Sequence, residues 1–185
     1  MKGVIFVELI KMAEQTFGED AVDTVLEKAE LENGGAFTTV GNYPCSELVK
    51  IVLAFSDHSG LSPDALQRAF GNWMMGVFLE NYPEFFVDKT SAFAMLEAVD
   101  QEVHFEVKKL YPEAELPRFD TRRHGDNRLE MIYSSPRPLD AFCEGLIEAC
   151  LAHFGEEGSI RRVAHPDTPT STTFDITLTG ERQNG

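Results

Sequence analysis

Positive charge is scarce in this chain: 16 Lys and Arg stand against 31 Asp and Glu in 185 residues, a formal net charge of −15. Such a surface repels phosphate backbones and anionic headgroups, and no basic tract offsets the repulsion, which argues against nucleic acid or a membrane surface as partner. Long hydrophobic runs are also missing, so no segment approaches the length of a membrane span. The opening "MKGVIFVELIKMAEQ" has one Lys and an apolar stretch that Glu8 interrupts, with no small-residue cleavage site; it reads as a mature cytoplasmic N-terminus. Cysteine is sparse and odd in number. Cys45, Cys143 and Cys150 lie in apolar or helical contexts, which excludes a disulfide framework and points to reduced thiols. Glycine-rich nucleotide loops are absent, "NGG" at 33–35 being a turn, and neither a GxSxG elbow nor a Cys/His hydrolase signature is present.

What is present is an ordinary globular composition, 43% apolar, long enough to fold around a full core as a single domain spanning 1–185. Helical spacing of apolar residues predicts helices near 2–17, 20–30, 45–59 and 90–111. Another starts at Ser62 as cap and Pro63 in the first turn, carries Leu66, Phe70, Trp73, Met74, Val77 and Phe78 along one side, and stops at Pro83. From about 117 the pattern changes to alternation in "RLEMIY" and "TTFDITL", with "GSIRRVAH" as a further strand and "HPDTPTST" as a turn. One long helix, with Leu139, Phe142, Cys143, Leu146, Ile147, Cys150, Leu151 and Phe154 in its apolar stripe, interrupts these strands. Helices first and antiparallel strands later make an α+β fold: a mostly helical N-terminal part packed on a C-terminal antiparallel sheet.

Two stretches carry candidate chemistry. "EMIYSSPRPL" at 130–139 sets Tyr133, Ser135 and Arg137 at every second position, so an extended chain would aim a phenol, a hydroxyl and a guanidinium the same way. Such a row would hold a cofactor's carboxylate arms, Arg making forked bonds; a half-exposed strand also shows polar residues outward. His104, late in the 90–111 helix, is either an ordinary surface or core histidine or an axial ligand of iron. Cys143, Cys150, His153 and His165 raise zinc, but their spacing fits no usual finger, and two Cys seven apart on a helix stripe are commonly core residues.

Taken together, the "MKG" start, His104, Pro117, the Tyr-x-Ser-x-Arg of Tyr133, Ser135 and Arg137, and the terminal strands resemble the heme nitric oxide/oxygen binding (H-NOX) family, in its stand-alone bacterial type related to the heme domain of soluble guanylate cyclase. The resemblance covers essentially the whole chain and implies a heme b between the helical part and the sheet. It implies that His104 is the proximal iron ligand and that Tyr133, Ser135 and Arg137 bind the propionates. Ile5 and Pro117 match positions that press on the porphyrin. Ile5, Leu9, Met74, Phe78, Phe142 and Leu146 would face the distal side, and none of them can donate a hydrogen bond. Phe142 stands where oxygen-holding relatives have a Tyr. Asp140 stands near where zinc-holding relatives have a Cys, and no Cys follows His165, so no zinc is expected.

The resemblance therefore implies a cytoplasmic sensor, not an enzyme, that binds nitric oxide and carbon monoxide at ferrous heme and excludes oxygen. It would signal in trans to a sensor histidine kinase or to a cyclic-di-GMP synthase or phosphodiesterase. Two rivals remain at this stage. A peroxidase-type heme enzyme needs a distal acid, base or cation, which the distal set lacks; a heme carrier or storage protein would also suit an apolar cavity.

Overall fold

Cap and turn residues set the ends of the helices. The computed structural model, which describes residues 1–165 and 167–180, begins with α1 (Gly3–Phe17), α2 (Glu19–Lys28), α3 (Cys45–Ser59) and α4 (Pro63–Asn81). Ser62 Oγ accepts the Ala65 N–H at 3.2 Å, Pro63 occupies the first turn of α4, and Pro83 turns the chain into a short 3-10 segment. Ser91 caps α5 (Ala92–Ala98) in the same way. A π-helical turn (Val99–Val103) then leads into α6 (His104–Leu110). The sheet half comprises β1 (Arg118–His124), β2 (Arg128–Ser134), α7 (Asp140–His153), β3 (Gly158–Ala164) and β4 (Ser171–Leu178), with antiparallel strands in the order β1-β2-β4-β3. The expected α+β order is observed. Pro166, in the expected turn at 165–172, lies outside the described residues, and among those described no helix is long and apolar enough to cross a membrane.

Three local differences from the expected elements have physical causes. The segment expected as one helix over 90–111 is divided by the π turn. That turn falls where the helix leaves the core, since α5 buries Phe93, Met95 and Leu96 while α6 buries no residue. Strand β1 escapes pattern reading because it is an edge strand whose single half-buried residue is Phe119. Finally, Tyr133, Ser135 and Arg137 do not continue as a flat row. The strand ends at Ser134, because Pro136 and Pro138 have no N–H for a ladder. Ser135 N–H still bonds Thr170 O at 2.8 Å.

Apolar residues gather in two clusters. The first holds Phe6, Leu9, Leu48, Ile51, Phe55, Phe70 and Met74 from α1, α3 and α4; the second holds Met75, Phe93, Leu129, Met131, Ile147, Phe174 and Ile176, joining α5 and α7 to the inner face of the sheet. Helices α4 and α7 contribute to both, and they cross with their backbones touching. A Cβ on Gly71 would press into the Phe142 carbonyl oxygen and stand 2.9 Å from Gly145 Cα, while one on Gly145 would strike the Arg68 carbonyl. Glycine is required here by the approach of two backbones. Arg68 and Glu148 form a forked ion pair beside the crossing, Nε to Oε2 at 2.7 Å.

Candidate functional site

His104 sits at the junction of the π turn and α6, its side chain 17% exposed. Its Nδ1 lies 3.2 Å from Asp100 Oδ1, one turn back, and its ring stacks on Phe119 of β1 with centroids 5.6 Å apart. Burial lowers the imidazole pKa, and the Asp100 carboxylate together with the backbone of Pro117 partly opposes that shift. The ring is thus a neutral imidazole at neutral pH, the form that ligates metals.

On the other side of Phe119 stands Tyr133, 5.7 Å between centroids, at the end of β2 and packed on Phe174. Burial pushes its pKa up to about 12, so the phenol keeps its proton and remains a donor. Its hydroxyl reaches the Arg137 carbonyl at 3.4 Å, and Ser135 Oγ accepts the Arg137 N–H at 3.1 Å, so the three motif residues form one tight turn. The Arg137 guanidinium, 15% exposed, forks onto a single residue: Nη2 donates to Glu115 Oε2 at 2.5 Å and Nη1 to the Glu115 carbonyl. The N-terminal amine of Met1, bonded to Tyr43 O at 2.7 Å, shares this neighbourhood; burial lowers its pKa, and the charge of Arg137 lowers it further.

Ile5 and Leu9 of α1, Met74 and Phe78 of α4, and Phe142 and Leu146 of α7 all fall in the first apolar cluster or pack against it. Met74 is fully buried, and Phe142 leans on Phe70 at 5.1 Å. Next to this set, the Trp73 indole N–H is already spent on the buried Glu8, at 3.1 Å. All six expected distal residues thus belong to the first cluster or its rim, Leu146 also meeting the second, while Tyr133 lies in the second cluster and His104 reaches it through Phe119. The zinc candidates are not assembled. Cys143 and Cys150 are buried among Ile147 and Leu151, their thiol pKa values raised by burial, that of Cys150 to about 12. His153 packs on Phe86 and Phe154, and His165 bonds Thr173. Among the described residues no group of three or more His, Cys, Asp or Glu is placed to hold a metal.

Three neighbours of these residues were not read from the sequence. Asp100 could have been found as the carboxylate four residues before His104 on a helix. Phe119, which joins His104 to Tyr133, is flagged only by being the lone aromatic in a polar edge strand. Glu115 gives no sequence signal beyond its place in the loop ahead of Pro117. A groove of about 770 Å³ between α7 and β3, lined by Arg68, Glu144, Glu148, Glu156 and Ser159, includes neither His104, nor the Tyr133, Ser135 and Arg137 motif, nor any of the six expected distal residues.

These side chains suit a heme. A neutral, carboxylate-oriented imidazole, a guanidinium fork that already receives a carboxylate, and an adjoining apolar set are what an iron porphyrin with two propionates requires. A family model described as Haem-NO-binding matches residues 2–162. Among solved structures, the unliganded Fe(II) H-NOX protein from K. algicida is 31% identical, matched over 98% of both chains with a TM-score of 0.92. The H-NOX from Shewanella woodyi, in its IWP-051-bound Fe(II)CO state, is 36% identical over 99% of this chain and 98% of its own, with a TM-score of 0.82. An H-NOX protein from S. oneidensis in the Fe(II)NO state is 25% identical over 97% of this chain and 100% of its own, at 0.87. No curated protein matches the chain. Fold and site thus define a class, the heme-based gas-sensor domains, which sense and are not enzymes. Within that class, the chain belongs to the Haem-NO-binding (H-NOX) family.

Proposed function

We propose that the chain, as one domain in the cytoplasm, binds heme b through His104, with Tyr133, Ser135 and Arg137 on the propionates, and reports nitric oxide to a separate protein. The observation that carries this reading is the convergence of His104 and the motif on the two sides of Phe119, with Arg137 engaged by a carboxylate. When bound, the heme supplies a ferrous centre for a diatomic gas. The chain supplies the rest. Asp100 would orient the imidazole, Phe142 and its neighbours would keep donors and water away, and Pro117 and Ile5 would press on the porphyrin.

Oxygen discrimination follows from the missing donor. A ligand that carries partial negative charge gains from a hydrogen bond, and none of Ile5, Leu9, Met74, Phe78, Phe142 or Leu146 can give one. Nitric oxide and carbon monoxide do not need it. The Fe(II)NO and Fe(II)CO states of the S. oneidensis and Shewanella woodyi relatives support both ligands. A sensor histidine kinase or a cyclic-di-GMP synthase or phosphodiesterase is the proposed recipient of the signal.

The test is the visible spectrum of the reduced protein, recorded alone, with nitric oxide and in air. Nitric oxide should shift the Soret band, air should produce no stable oxygen-ligated spectrum, and His104→Gly should lose heme unless imidazole is supplied. Full heme retention by His104→Gly without imidazole would remove His104 from the ligand role.

A further inference from the structure

Arg137 has two potential carboxylate ligands, and its geometry serves one at a time. Both Nη atoms are directed at Glu115, one to the side-chain carboxylate at 2.5 Å and the other to the backbone carbonyl. The guanidinium cannot swing freely to a second acceptor: it is 15% exposed, and its own backbone is fixed by Ser135 Oγ and the Tyr133 hydroxyl. Glu115 is the opposite, 83% exposed and carried by the loop between α6 and β1. That loop begins where the His104 helix ends and includes Pro117.

We infer that Glu115 is a displaceable latch, an internal carboxylate that competes with a heme propionate for Arg137 and, while it holds the fork, pins the α6–β1 loop to the propionate motif. The inference rests on the heme reading above. Its asymmetry sets the strength. A largely exposed carboxylate on a flexible stem forms a weak ion pair, so it yields to a propionate and tunes heme retention without preventing it. Displacement has a second consequence, because the loop that follows His104 loses its tie to Arg137 when the propionate takes the fork. Seating of the cofactor and freedom of the proximal helix are then coupled through one guanidinium.

The experiment follows the transfer of ferric heme from the loaded protein to excess apomyoglobin. Glu115→Gln removes the competing charge and should slow heme loss about three-fold, a size set by an exposed pair. Glu113→Gln, which deletes an equal charge from an exposed neighbour in the same loop, should leave the rate unchanged. The same variants loaded with heme dimethyl ester, which has no free carboxylate, should all release it at the unmodified protein's rate. Hydrogen exchange at residues 111–117 supplies the second readout: faster with heme than with the diester in the unmodified chain, and alike for both in Glu115→Gln. Unchanged or faster heme loss from Glu115→Gln, or an equal slowing with the diester, would overturn the latch while leaving heme binding intact. A protein that takes up no heme would overturn the heme reading itself, and the latch with it.

Discussion

In the proposed function, Asp100 and His104 form the smallest working unit. The Asp100 carboxylate on Nδ1 would fix the tautomer, leave Nε2 as the nitrogen for iron, and make the ring a stronger donor to a metal. The π turn matters at this scale because Asp100 lies within it, so the backbone irregularity and the carboxylate act on the same imidazole. Asp100→Asn should retain heme but weaken the axial bond, seen as a lower iron–histidine stretching frequency in the Raman spectrum of the reduced protein. An unchanged frequency would make Asp100 a bystander. His104 was legible as a candidate because of its company along the chain, whereas Asp100 was not, since a carboxylate on a helix of an acidic protein is unremarkable until its oxygen is located.

Among elements, the crossing of α4 and α7 is the tightest. Gly145→Ala would set a methyl against the Arg68 backbone, which cannot yield as the tip of a side chain would. The expected cost is about 2–4 kcal/mol in denaturant unfolding, and the displaced helix would carry Phe142 and Leu146 with it. A cost under about 0.5 kcal/mol, the range of ordinary surface changes, would mean that the helices separate easily. The sheet supplies a pH-dependent element. Arg128 and Arg161 flank Asp175 and depress its carboxyl to about 2. A carboxyl depressed on folding adds stability above its unfolded pKa, and that stability is lost as pH falls through the folded value. Asp175→Asn should therefore lower the melting temperature at pH 7, and the gap to the unmodified protein should close between about pH 4 and pH 2. A gap that persists at pH 2 would assign the loss to packing.

Elements with one continuous apolar face were readable: α4 from Leu66 to Phe78, α7 from Leu139 to Phe154, and β2 and β4 by alternation. The less readable pieces lack such a face. Strand β1 is held by its ladder to β2, by Phe119 and by Arg123, which forks onto Glu97 and lies over the Phe93 ring, and α6 is an extension of α5 beyond the core. The burial of Met74 follows from its helical spacing, whereas the distal set came from the resemblance to the H-NOX family and from no pattern of spacing. The Glu115–Arg137 pair joins a loop to a turn across 22 positions, where no periodicity operates.

For the molecule as a whole, the proposed function places Pro117 between the sensor site and the output. It lies beside His104 and just after Glu115, so its ring stiffens the loop that ties α6 to β1. Pro117→Ala should relax that loop and bring the unliganded protein toward its nitric oxide-bound behaviour. The measure is the activity of the partner, a histidine kinase or cyclic-di-GMP enzyme, with unliganded, nitric oxide-bound and Pro117→Ala protein. A partner that treats Pro117→Ala like the unliganded protein would exclude Pro117 as the element that transmits the signal.

The glycine contact between α4 and α7 also limits how such a signal could travel. Two backbones in contact resist sliding along one another but can still turn about the point where they touch, so the crossing behaves as a fulcrum. Met74 and Phe78 lie on the arm of α4 that runs from Gly71 to Asn81, about 15 Å long at the helical rise per residue. A turn of about 5° at the fulcrum would carry the end of that arm by roughly 1 Å. Lever length can thus convert a small strain at the pocket into a displacement large enough for another protein to detect.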